Sequence, residues 1–191
     1  MKSIFLIFTL AALLQVSLAA FGNHKNMLKE DMLHREPPVR QTATPFNDFD
    51  TIYEGWMKTS LDQFDPLNNQ SYFMRYLMNK EHLVEGGPIF IFVGGEWTIS
   101  PSLIQYGHMY DMARNLSGMM IYSEHRYYGF STPTPDLTLD NMQYLNIDQA
   151  LADLAHFIVN IKEKFPEVKN SKVILVGCSY SGTMVTWFLQ K

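Results

Sequence analysis

Residues 173–190 read Val173-Ile174-Leu175-Val176-Gly177-Cys178-Ser179-Tyr180-Ser181-Gly182-Thr183-Met184-Val185-Thr186-Trp187-Phe188-Leu189-Gln190. Four apolar residues, a tight glycine-bounded turn and an apolar helical start place one serine at the apex between a buried strand and a helix. Gly177, two positions before Ser179, lets strand and helix approach closely. The position two after Ser179 is Ser181, with Gly182 next, so the strict G-x-S-x-G pattern is broken at its last place by a small-for-small exchange. Ser181 cannot be the centre of the motif, because Ser179 and Thr183 would stand where glycines are needed. A phosphate-binding P-loop would need Gly-Lys-Ser/Thr, and residues 177–190 contain no lysine. A chemically silent glycine turn is the alternative, and the flanking strand and helix favour a nucleophile.

Working outward, Gly86-Gly87-Pro88 precedes the apolar run Ile89-Phe90-Ile91-Phe92-Val93, and Met119-Met120-Ile121-Tyr122 is a second such run. Runs apolar on both sides suit strands buried on both faces of a sheet. Residues 103–115 have helical spacing, with Ile104, His108, Met112 and Leu116 four apart. Asn146 can cap a longer helix, with Asp148 and Gln149 in its first turn. Along it Ile147, Ala150, Leu151, Leu154, Ile158, Ile161 and Phe165 share one face, and Pro166 closes it. Strand, helix, strand, helix, strand predicts parallel β-α-β units with helices on both faces. Upstream, residues 56–61 and 71–78 read as strands, split by the turn formers Asp65-Pro66-Leu67-Asn68-Asn69, and antiparallel pairing is the simplest arrangement. The fold class is α/β: a mostly parallel sheet with antiparallel strands at its N-terminal side.

An acyl-transfer serine needs hydrogen-bond donors for the oxyanion. The residue after the nucleophile supplies one backbone N–H, here Tyr180; the second comes from the loop after an earlier strand. That loop is Gly94-Gly95-Glu96-Trp97, and its candidate donors are Gly95 and Glu96, although an ordinary strand-ending turn would look similar. Gly177 and Gly182 are the elbow glycines. A third cluster, Ser123-Glu124-His125-Arg126-Tyr127-Tyr128-Gly129-Phe130-Ser131, follows the second buried strand. Charges there sit where α/β sheets build sites; Glu124 and Arg126 read better as a buried structural ion pair than as catalysts.

The chain has 191 residues, 47% apolar and 18% charged, with a net charge of -4. That composition excludes a largely disordered chain and lacks the basic footprint of a nucleic-acid binder. The lone Cys178 excludes an intrachain disulfide and a multi-cysteine zinc site, and nothing calls for a metal or cofactor. Lys2, the apolar stretch over residues 4–14, and small residues at Ser17 and Ala19 predict a secretory signal peptide over 1–19, cut after Ala19. To serve as an anchor, the apolar stretch would have to take in Gln15 and Ser17. The mature protein is then expected to be free of the membrane, lysosomal or extracellular. The sequons at Asn69 and Asn115 agree with that route. Residues 20–52, rich in turn formers, read as a leader or propeptide, and 53–191 as the ordered domain.

Five segments carry a resemblance: Leu61-Asp62-Gln63-Phe64-Asp65-Pro66 with residues 70–79; residues 86–96; Glu124-His125-Arg126-Tyr127-Tyr128-Gly129; Gln149-Ala150-Leu151-Ala152-Asp153; and residues 177–182. Together they resemble the prolyl-specific serine carboxypeptidases, a family that takes in lysosomal Pro-Xaa carboxypeptidase, lysosomal dipeptidyl peptidase and thymus-specific serine protease. Trp97, where relatives commonly carry a small residue, departs from the family. The resemblance implies an α/β-hydrolase core and a Ser–Asp–His triad that cleaves after proline, with Ser179 as nucleophile. It also implies a peptide substrate with proline before the scissile bond as partner; a homodimer stays open. In this fold the acid and the histidine follow the serine, yet residues 180–191 contain no Asp, Glu or His. All six histidines (24, 34, 82, 108, 125 and 156) precede Ser179, and His125 matches an upstream segment rather than the triad position. The expectation is an α/β-hydrolase truncated after its nucleophile elbow, poorly soluble and inactive as 191 residues. The competing readings are an inactive truncated relative or partial gene model, and a secreted lipase or esterase on the same fold.

Overall fold

The structure, a computed structural model, describes residues 51–190. The signal peptide, and the leader up to residue 50, lie outside the described residues. Five strands form one sheet in the order β1-β2-β4-β3-β5: β1 (Ile52–Ser60), β2 (Ser71–Asn79), β3 (Ile89–Val93), β4 (Met119–Ser123) and β5 (Val173–Val176). β1 and β2 pair antiparallel from Ile52↔Asn79 to Ser60↔Ser71, and β2 pairs antiparallel with β4. β3 lies parallel to both β4 and β5. The α/β class and the strand directions therefore stand.

Period-two alternation sorts the central strands between two cores. Ile89, Ile91, Val93, Met119 and Ile121 face one side; Phe90, Phe92, Met120 and Tyr122 face the other. The first side is covered by α3 (Ile147–Lys164) and α4 (Tyr180–Phe188), the second by α1 (His108–Leu116) and a 3-10 turn at Pro101–Ile104. A short helix, α2 (Leu139–Met142), precedes α3. Asn146 caps α3 through its side-chain oxygen, which accepts from Gln149 N at 3.0 Å. Phe157, fully buried on α3 and edge-on to Tyr76 at 5.4 Å, joins the predicted face. Removing such a ring costs about 3–5 kcal/mol.

Three local readings change. β1 opens at Ile52, one residue inside the expected leader and four before the expected strand. Glu54 and Gly55 break the apolar pattern, but the ladder runs through them because the Tyr76 ring lies over Gly55, where a Cβ would overlap it. The continuous helix over 103–115 is split, because Gly107 adopts φ +90 and restarts the helix at His108. The buried residues of α1 are Met109 and Ala113, whereas His108 and Leu116 are exposed. β5 is only half-buried, since among the described residues it pairs with β3 alone.

Candidate active site

β3 and β5 are neighbours, with Phe92 paired to Val176, and the chain leaves them toward opposite faces of the sheet. The C-terminal ends of two such strands form the crevice in which open α/β sheets build sites. Ser179 follows β5 at that end of the sheet: it is exposed and sits at φ +55, ψ -129. For a serine that backbone is strained by about 1–3 kcal/mol, a cost that must be over-determined by its surroundings.

Two features hold the strain. A Cβ on Gly177 would come within 2.6 Å of the Ser181 carbonyl oxygen, so only glycine lets β5 pass the first turn of α4. Ser181, the position that departs from the strict motif, is fully buried; its hydroxyl donates to Cys178 O at 2.9 Å and accepts from Cys178 N at 3.0 Å. The exchange thus closes the turn with two bonds that glycine could not make. Gly182 is less constrained, its nearest contact being Gly177 O at 3.3 Å. Tyr180 opens α4, where backbone N–H groups have no intrahelical partner.

Across the crevice, Gly94 donates its N–H to Ser123 O at 2.8 Å. The N–H groups of Gly95 and Glu96 take no protein acceptor among the described residues. Trp97 is buried, its ring pressed against Gly95 where a Cβ would overlap it, and its indole N–H donates to the Tyr122 hydroxyl at 2.5 Å. The large residue therefore packs beneath the loop instead of filling the crevice.

The expected Glu124–Arg126 pair is corrected: the two side chains point to different partners. The Arg126 guanidinium forks onto Asp153, Nε to Oδ2 at 2.7 Å and Nη2 to Oδ1 at 2.8 Å, while Nη1 donates to the carbonyls of Leu61 (3.1 Å) and Tyr144 (2.9 Å). Asp153 also accepts from Tyr72 (2.7 Å), Gln63 (2.6 Å) and Thr59 (3.4 Å). Gln149 accepts from Gln63 N and donates to Asp62. Burial opposes the Arg126 charge, and the hydrogen bonds and charge of Asp153 outweigh it. Burial, followed by the Asp153 charge, holds the Tyr72 phenol well above its ordinary value. Glu124 instead accepts from Ser131 Oγ (2.9 Å), Phe130 N (2.9 Å) and Ile99 N (3.2 Å), with Arg75 at 3.6 Å. Its carboxylate occupies the space of a Cβ at Gly129, which adopts φ +57.

A cavity of about 20 Å³ lies behind the crevice, lined by Gly94, Ser123, His125, Asp153 and Met184 among others. It has room for one water. His125 borders it. Its Nε2 lies 3.3 Å from the Tyr180 hydroxyl, and burial pushes its pKa down to about 4. Burial, then the Glu96 charge, pushes the Tyr180 phenol up to about 12. Tyr128 is raised by the same two causes.

A parallel β-α-β core with a strained serine elbow at its switch point defines the α/β-hydrolase fold. Within that class the chain belongs to the serine carboxypeptidase S28 family, whose pattern matches residues 59–191. It is 33% identical to lysosomal Pro-X carboxypeptidase of Pongo abelii over 160 residues, 81% of this chain and 32% of that protein. Human thymus-specific serine protease is 33% identical over 134 residues, 70% of this chain and 26% of that one. Prolyl carboxy peptidase like protein 5 of Caenorhabditis elegans is 33% identical over 163 residues, 82% and 32% respectively. The chain thus spans about a third of the length of these curated relatives. Among solved structures, Pyrococcus horikoshii acylaminoacyl peptidase superposes with a TM-score of 0.49 at 17% identity, covering 76% of this chain and 22% of that one. No helix among the described residues is long and apolar enough to cross a membrane.

Proposed function

We propose that this chain carries the nucleophile and oxyanion donors of a serine exopeptidase that cleaves peptides after proline. The strained, exposed Ser179 between Gly177 and α4 carries the reading. Ser179 Oγ attacks the prolyl carbonyl carbon and loses its proton to a base; the C–N bond then breaks as the amine takes up a proton. The N–H of Tyr180 and that of Gly95 or Glu96 face the developing oxyanion, and the positive end of α4 favours negative charge there. Family membership and relatives bearing the Pro-X name support the prolyl specificity. The Asn69 and Asn115 side chains belong to exposed residues, which supports a glycosylated protein of the secretory pathway, lysosomal or extracellular.

No Asp, Glu or His side chain is hydrogen-bonded to Ser179 Oγ among the described residues, and turnover of peptide bonds by these 191 residues alone is expected to fall below detection. A serine without its base is a weak nucleophile near neutral pH, while oxyanion donors and binding keep a residual rate. An N-blocked prolyl p-nitrophenyl ester needs no help for its leaving group. Incubated with it at pH 9, the chain is expected to gain one acyl group at Ser179 by intact mass, and Ser179→Ala to gain none. Equal labelling of Ser179→Ala overturns the nucleophile; equal labelling by a leucyl ester overturns the prolyl preference. Ser179-dependent turnover of a prolyl peptide overturns the inactivity.

A further inference from the structure

His125 is a buried titratable group that the acyl-transfer scheme leaves unused. The residue is 5% exposed, and its ring lies between two tyrosines, edge-on to Tyr128 at 5.4 Å and to Tyr180 at 5.6 Å. Nδ1 is 2.7 Å from the Arg126 carbonyl oxygen, which can only accept, so the proton resides on Nδ1. The Nε2 lone pair then faces the Tyr180 hydroxyl, which donates to it across 3.3 Å. That lone pair is directed at Tyr180, so His125 is not the base for Ser179. The mount is rigid: the next residue, Arg126, is fixed by four hydrogen bonds to Asp153, Leu61 and Tyr144. A chain of contacts therefore runs from α3 through Arg126 and His125 to the side chain beside the strained serine.

We propose that His125 is a positioning residue for acyl transfer: by holding the Tyr180 phenol it fixes the first turn of α4, and with it the Tyr180 N–H relative to Ser179 Oγ. This rests on the assignment of Ser179 and the Tyr180 amide made above. Its low pKa keeps the imidazole neutral, as an acceptor must be, at neutral and alkaline pH.

The test uses the full chain and the rate of Ser179 acylation by the prolyl ester over a range of ester concentrations. His125→Phe removes the acceptor and keeps a ring; Tyr180→Phe removes the donor without altering the buried histidine; His125→Gln restores an acceptor. His125→Phe and Tyr180→Phe should each lower the limiting rate about tenfold, a fraction of the 10²–10³ lost with a whole oxyanion donor. The ester concentration for half-maximal rate should stay within about twofold, and the double variant should be no slower than either single one. His125→Gln should recover most of the rate. An unchanged limiting rate in Tyr180→Phe, or effects that multiply, overturns the proposal. Long-range ¹H–¹⁵N spectra add a readout independent of activity: His125 should be the Nδ1–H tautomer, with an Nε2 signal that moves in Tyr180→Phe. Acylation with an Nε2–H tautomer sinks this proposal alone, whereas no acylation of the unaltered chain sinks the nucleophile assignment with it.

Discussion

Asp153→Ala is expected to be among the most costly substitutions. Asp153 is 3% exposed and accepts from Arg126 twice, Tyr72, Gln63 and Thr59, drawing β1, the loop after it, β2, the loop after β4 and α3 to one carboxylate. Alanine leaves the fully buried Arg126 guanidinium without its counter-charge, along with at least two stranded donors. Removing one partner of a buried pair costs about 3–5 kcal/mol, against a typical domain stability of about 5–15 kcal/mol. With a urea dependence of about 2 kcal/mol per molar, the unfolding midpoint should fall by about 2 M. Pulse proteolysis across a urea series reads this on small amounts of protein. Replacing both charges by Arg126→Met with Asp153→Leu should recover part of the loss, since no buried charge remains, but not all, since the Tyr72 and Gln63 donors stay unpaired. A midpoint shift under about 0.3 M for Asp153→Ala would show that water reaches Arg126 and refute the argument.

The buried His125 makes stability depend on acid. Its pKa is about 4 folded against an ordinary 6.5, so the unfolded chain binds more protons between those values. Stability attributable to His125 should thus fall as pH drops from 6.5 to 4, by up to about 3 kcal/mol, and stay level above 6.5. Urea midpoints at pH 7 and pH 5, compared with those of His125→Gln, separate this from carboxylate titration; equal slopes for the two proteins would count against it. Gly177→Ala places a methyl 2.6 Å from Ser181 O, and the overpacking should cost about 1–3 kcal/mol and abolish Ser179 acylation. Gly182→Ala, with its nearest contact at 3.3 Å, should do neither; labelling of Gly177→Ala at the unaltered rate would show that the elbow relaxes freely.

What could be read beforehand was what short-range chemistry dictates. The apolar runs at 89–93 and 119–122, the Asn146 cap and the elbow at 177–182 are each set by neighbours a few residues away. The split at Gly107 was hidden because Ile104, His108, Met112 and Leu116 keep a helical interval across it, and a glycine at φ +90 leaves no mark in the apolar pattern. The partners of Arg126 and Glu124 were hidden for another reason: the residues that meet at Asp153 are as much as 94 positions apart. One signal did point there. Gln149 and Asp153, four apart, lie on the same side of α3 as Ala150 and Leu154, and a carboxylate inside an apolar face demands a buried cation. The exchange at Ser181 explains itself only in three dimensions, where its hydroxyl ties the turn.

The Arg126–Asp153 fork also has a consequence in time. On the ribosome the N-terminal strands emerge first, and Arg126 precedes its counter-ion by 27 residues. At about 5–20 residues per second, the guanidinium waits roughly 1–5 seconds before Asp153 exists to receive it. During that interval β1, β2 and β4 can collect their apolar faces but cannot seal the layer that needs Arg126 inside. Until the crossover helix arrives, that face of the nascent sheet stays uncovered and Arg126 stays without its counter-ion, so a chaperone encountering it would meet an uncovered apolar surface beside a solvated cation.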